Sequence, residues 1–151
     1  MKRLIMTMAV MALCSCGGGG GGGGGDSVTI PGLYNVQTSV ASNTCNFPRE
    51  NLDVGLRVDQ SGPQVVVTAA STGSTFTGTV TSENSFTVSK GAEVPCTPRG
   101  VSQEVTTIDF SGIDSDSALV TITEDYGNCT GSHTSACKIV SRGSAQKVSF
   151  P

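Results

Sequence analysis

From Leu52 to Asp59 the chain alternates strictly. Leu52, Val54, Leu56 and Val58 fall on one parity, and Asp53, Gly55, Arg57 and Asp59 on the other. A period of two marks a half-buried β-strand. The same reading recurs along the chain. A strand opens at Gly32, with Tyr34, Val36, Thr38 and Val40 on one face. Gln64 to Ala70 is apolar on both faces around Val65, Val66 and Val67. Thr75 to Thr81 aligns Phe76, Gly78 and Val80, where Gly78 suggests a bend or a close backbone approach. Ser85 to Lys90 alternates around Phe86 and Val88, Gln103 to Ser111 around Thr106, Ile108 and Phe110, and Ser117 to Asp125 around Ala118, Val120 and Ile122. Cys137 to Phe150 supplies a last strand, with a bulge expected at Gly143.

Between these segments lie turn signals: Gln60-Ser61-Gly62-Pro63, Ser71 to Ser74, Ser82-Glu83-Asn84 and Gly112 to Asp116. Longer loops are expected at Ala41–Asn51, Gly91–Ser102 and Tyr126–Ala136. No stretch keeps a helical period. Eight strands joined mostly by short turns predict an all-β fold, an antiparallel meander that closes into a barrel and so removes its exposed edges. A two-sheet sandwich is the alternative. An eight-stranded barrel is just wide enough to be filled by side chains or to hold one small ligand. Leu56, Phe76, Phe86, Phe110 and Ile122 would fill it; the small residues Val54, Val58, Val67, Gly78, Val80 and Val120 would leave room.

The first twenty-five residues follow a different pattern. Lys2 and Arg3 precede an apolar run, Leu4 to Leu13, broken only by Thr7. That is the length of a signal-peptide core and too short to span a bilayer. Leu13-Cys14-Ser15-Cys16-Gly17 follows. It resembles the bacterial lipoprotein signal, with Leu13 and Ser15 in the expected places before the acceptor Cys16. An ordinary secreted protein cut at the same point is the plainer alternative. The resemblance implies a signal peptide at residues 1–15 and a Cys16 that carries a diacylglyceryl group and an amine-linked palmitate. Each buried methylene contributes about 0.8 kcal/mol, so two or more chains anchor stably to a membrane. Gly17 to Gly25 then reads as a flexible tether with a span of about 15–18 Å. With Gly rather than Asp after the cysteine, the pattern implies the outer membrane in a Gram-negative host. Residues 26–151 form a single domain.

Composition narrows the function classes. The nine Lys and Arg include Lys2 and Arg3, so the chain from Asp26 carries seven against twelve Asp and Glu, a net charge of −5. No basic cluster is present, which argues against nucleic acid as a partner. Four cysteines remain after Cys16: Cys45, Cys96, Cys129 and Cys137. An even count in an exported chain suggests two disulfides. Of the three possible pairings, the short-loop one, Cys129–Cys137 with Cys45–Cys96, is expected.

Gly32-Leu33-Tyr34, Leu56-Arg57-Val58-Asp59-Gln60-Ser61-Gly62 and Gly78-Thr79-Val80 together look like the small lipocalin-like barrels carried by uncharacterised bacterial lipoproteins. Lipocalins place a Trp after the first Gly, where this chain has Tyr34. The resemblance implies a barrel with an internal site for a small apolar ligand, and it transfers no site residue.

Little catalytic chemistry is legible. Cys129, His133 and Cys137 have zinc-ligand types and spacing, but a disulfide across a loop that contains a His is the expected state of exported thiols. His133 is the one imidazole, and no Ser lies in a nucleophile motif. Asp114-Ser115-Asp116-Ser117 lacks the later Gly and Glu of a calcium loop and reads as a polar turn. Glu124 and Asp125 face opposite sides of a strand and read as solvated strand-end charges. The glycine run lacks the Lys and helix of a phosphate loop. The expectation is therefore a non-enzymatic, lipid-anchored envelope protein with a structural or interaction role and no metal or cofactor. The alternative is a carrier of a small apolar ligand.

Overall fold

A computed structural model describes residues 30–45, 47–95, 101–128 and 135–148. Cys16 and the glycine run, Cys96, Cys129 and His133 lie outside the described residues. The strands are β1 (Gly32–Asn43), β2 (Leu52–Ser61), β3 (Gln64–Ala69), β4 (Thr75–Ser82), β5 (Ser85–Pro95), β6 (Val101–Ser111), β7 (Ser117–Tyr126) and β8 (Cys137–Lys147). Each pairs antiparallel with the next, and β8 returns to β1 to close the barrel. The meander barrel is therefore the fold, not the sandwich.

The parity expected from sequence is the parity observed. Tyr34, Val36, Leu56, Val58, Val65, Val67, Phe86, Val88, Ile108, Phe110, Val120 and Ile122 are buried, and their neighbours along each strand turn outward. Leu52, Val54, Phe76 and Val80 pack on this core half-buried. The aromatic residues carry the bulk of the filling. Phe86 stacks on Phe110 with ring centroids 4.6 Å apart, and Tyr34 meets Phe110 edge-on at 5.5 Å. Both geometries suit the ring quadrupoles.

The two ends of the barrel differ. The end that holds the start of β1 is plugged. Ile30 and Ile113 are buried there as part of the core. The Tyr34 hydroxyl donates to the Ile30 carbonyl at 2.7 Å, and the Lys147 Nζ lies 5.9 Å from the Tyr34 ring centre. The opposite end carries the β1–β2, β3–β4, β5–β6 and β7–β8 connections.

Three expectations need correction. The loop expected at Gly91–Ser102 is mostly strand, because β5 and β6 run on to Pro95 and Val101 in register. Ala92 and Glu93 are exposed there, so this end of β5 stands clear of the core and shows no alternation. The bulge expected at Gly143 lies instead on β1, between Val40 and Ser42. Gly143 is a point of close approach: a Cβ there would sit 1.8 Å from the Gln37 carbonyl oxygen and 2.7 Å from the Thr38 Cα. Gly78 does the same on β4, against the Thr87 carbonyl oxygen at 1.9 Å.

The third correction is the disulfide. Cys45 bonds Cys137, 92 residues away, so Cys129–Cys137 and Cys45–Cys96 are both excluded. The reason is register. Below the bulge β1 and β8 pair Val40 with Ser141; above it they pair Asn43 with Ile139. The ladder continues through Thr44 N–H to the Lys138 carbonyl at 2.9 Å, which sets Cys45 opposite Cys137. A loop of this length corresponds to about 4.6 kcal/mol in the chain-entropy model.

Two measurements follow. Gly143→Ala should cost about 3 kcal/mol or more in chemical denaturation, the upper range of overpacking. Gly91→Ala is the control, since its nearest neighbour would be 3.9 Å away, and should stay within about 0.5 kcal/mol. Peptide mapping without reductant should recover Cys45 joined to Cys137. If the remaining pair also oxidises, the one partner left for Cys96 is Cys129.

Candidate functional site

The inward faces of β6 and β7 change character as they leave the core. On β7, Ala118, Val120 and Ile122 are buried, and the next residue of that parity is Glu124, only 6% exposed. On β6, Thr106 and Glu104 continue the inward row beyond Ile108. Register pairs Thr106 with Glu124 and Glu104 with Tyr126, so two carboxylates and a phenol meet at the unplugged end.

The β1–β2 connection supplies the counter-charge. Arg49 Nη2 donates to Glu124 Oε1, and the two form an ion pair. Phe47, two residues earlier, stands edge-on to Tyr126 with ring centroids 5.3 Å apart. The Cys45–Cys137 bond and the Asn43 side chain, which donates to the Phe47 carbonyl at 3.0 Å, hold this connection over the mouth.

The electrostatics are those of a crowded, desolvated site. Burial raises the Glu124 carboxyl above its ordinary range; Arg49 opposes this, and Glu104 adds to it. Tyr126 is raised to about 12, first by burial, then by the nearby Glu124 and Glu104 charges. Its hydroxyl donates to Glu104, which favours the neutral phenol. Thr106 Oγ1 also donates to Glu104, at 3.2 Å. Thr38 and Ser141 are buried polar residues on the inward faces of β1 and β8. Thr38 Oγ1 has no hydrogen-bond partner among the described residues. A buried hydroxyl left unpaired costs roughly 1–3 kcal/mol.

Elsewhere the polar groups are structural or lie on the outer wall. Asp114 Oδ1 accepts from the Asp116 and Ser117 amides at 2.9 and 2.6 Å, and Oδ2 from the Ser117 hydroxyl. These bonds lower its pKa and make the segment a side-chain-closed turn. Among the described residues no group of three or more His, Cys, Asp or Glu is placed to hold a metal ion. A shallow groove of about 690 Å³ crosses the outer wall over Gly143. Gln37, Asp53, Arg142 and the exposed Leu119 line it.

The reading of Glu124 as a solvated charge is overturned, whereas its opposition to Asp125 holds. Asp125 faces outward and pairs with Lys138 at 3.0 Å. The signal was present in the sequence: Glu124 has the parity of Val120 and Ile122, and a carboxylate on an apolar face requires a partner. Glu104 carried the same signal on β6, on the parity of Ile108 and Phe110, whereas Arg49 and Phe47 lie in a connection without a pattern. No family model, curated protein or solved structure matches the chain.

Both tyrosines of the chain should titrate late. Tyr34 is raised by burial, with a smaller push from Asp114. The neutral phenols contribute stability that is complete below the ordinary 10.0 and lost as the pH rises toward about 12 for Tyr126. Tyrosinate absorbance should be small at pH 10 and should grow together with unfolding above it. Half-ionisation at pH 10 in folded protein would contradict this site.

Proposed function

We propose that this is a lipid-anchored envelope protein with a non-enzymatic interaction role, held through Cys16 and presenting the mouth of its barrel. The observation that carries the reading is the filled interior. Tyr34, Phe86 and Phe110 pack on one another where an apolar guest would sit, and Ile30 and Ile113 cover that end. The charged groups described at the other end pair within the protein, Arg49 with Glu124, and the Tyr126 hydroxyl donates to Glu104.

Geometry also gives the reading a direction. The chain reaches β1 at the plugged end, and the Cys45–Cys137 bond lies at the other. An anchor at Cys16 would attach the domain from its plugged end and leave the mouth as the end farther along the chain from the anchor. The half-buried Leu52, Val54, Phe76 and Val80 favour the second reading, a carrier of a small apolar molecule, but they pack against the core rather than around a space.

Fractionation and native mass spectrometry test both readings. Cys16→Ser should move the protein from the membrane to the soluble fraction, and wild-type protein should carry the added acyl mass. The native species should release no apolar small molecule on denaturation. A released apolar molecule would promote the carrier; Cys16→Ser protein that still sediments with membranes would remove the anchor.

A further inference from the structure

The mouth holds two carboxylates, Glu104 and Glu124, beside the Phe47–Tyr126 ring pair, and the guanidinium described among them, Arg49, comes from a connecting segment rather than from the barrel wall. Carboxylates flanked by aromatic rings are the chemistry that recognises an organic cation. We infer that the mouth is a binding site for a small organic cation, an alkylguanidinium or alkylammonium, and that Arg49 is its built-in occupant, displaced when the ligand arrives. The inference rests on the mouth as the recognition end but not on the lipid anchor.

Three observations support it. Glu124 is 6% exposed, so its charge must be matched by a cation that enters the barrel end, and Arg49 does this with a side chain that is itself a third exposed. A guanidinium reaching in from the connection can be exchanged for one from solution without moving a strand. Glu104 is the second carboxylate. It accepts from Thr106 and Tyr126, and its charge helps to raise Glu124, so among the described residues two acids face Arg49. Lastly, Thr38 is 5% exposed and faces the same interior from β1 with its hydroxyl unpaired. It is a hydrogen-bonding position that the resident arginine does not use. A ligand N–H donated to Thr38 Oγ1 would satisfy it.

The other occupants of such a site fit less well. An anion would meet two carboxylates. A neutral apolar molecule would have to strip Glu124 of its partner and leave the charge buried, which costs several kcal/mol. A cation replaces like with like.

Calorimetric titration of the purified protein with n-butylguanidinium, n-butylammonium and the neutral n-butylurea tests this. Wild type should bind at least one of the cations saturably and n-butylurea not at all. Arg49→Ala should bind that cation about tenfold tighter or more, because the internal competitor is gone. Glu124→Gln should weaken binding about tenfold or more, and Glu104→Gln provides the same test should Glu124→Gln fail to give barrel-like circular dichroism. The inference is overturned if wild type shows no saturable cation binding, if n-butylurea binds as tightly, or if folded carboxylate variants bind as well as wild type. Binding by Arg49→Ala alone would mean that Arg49 is a structural plug. Because the assay runs in solution, its result stands apart from whether Cys16 anchors the protein.

Discussion

The whole structure depends on one seam, the antiparallel pairing of β1 with β8. Without it both strands would present unpaired backbone groups, a template for association with other chains. The seam is made by two local features that act in opposite ways. Gly143 lacks a side chain where the Gln37 and Thr38 backbone comes too close for one, so the two strands can approach and coil. The bulge between Val40 and Ser42 then shifts the pairing by one residue. That shift decides which residue of the β8 end faces Cys45, and the answer is Cys137. Closure, bulge and covalent bond are therefore one feature seen at three scales, and the bond locks the register that the bulge sets.

The asymmetry of the interior follows from this closure. Toward the start of β1 the ring of inward residues is large and apolar, and two isoleucines outside the strands complete it. Toward the disulfide the polar Thr38, Ser141, Thr106, Glu104 and Glu124 join the inward residues, beside the fully buried Ile139 opposite Glu124. The aromatic filling lies toward one end, and the other end holds polar groups close together in a poorly solvated place. The disulfide sits at that polar end, where hydrophobic packing contributes least.

Strand identity was legible because each core strand buries one face. Leu52 to Asp59 and Ala118 to Ile122 read directly as period two, and the eight segments and the barrel follow. What was not legible depended on information from outside each segment. The outer half of β5 buries neither face, so Lys90 to Glu93 show no alternation and read as loop. The cysteine pairing is a property of the closed circuit, since only register carried around the barrel to β1 and β8 brings Cys45 to Cys137; along the chain, Cys129 is the nearer candidate. Glu124 lies between these cases. Its parity declared it inward, but its partner comes from 75 residues earlier, in a connection without a pattern.

That pairing is costly as a device for stability alone. Removing the Glu124 charge from water costs several kcal/mol, and apolar residues of similar volume often hold such a contact as well or better. The Phe47–Tyr126 contact already offers an apolar way to seat the β1–β2 connection on the mouth. An unpaired Thr38 hydroxyl adds a further cost that a leucine or valine would avoid. Local rules of packing are broken here three times within one end of a barrel that otherwise obeys them, with a buried carboxylate, a second carboxylate beside it and an orphan hydroxyl. Departures of this kind concentrate where a protein meets its ligand. The plugged end shows how the same chain packs when only stability is at stake, with tyrosine hydroxyl satisfied and isoleucines in place. The contrast between the two ends, within one continuous sheet, is the strongest physical argument that the mouth is the working part of the molecule.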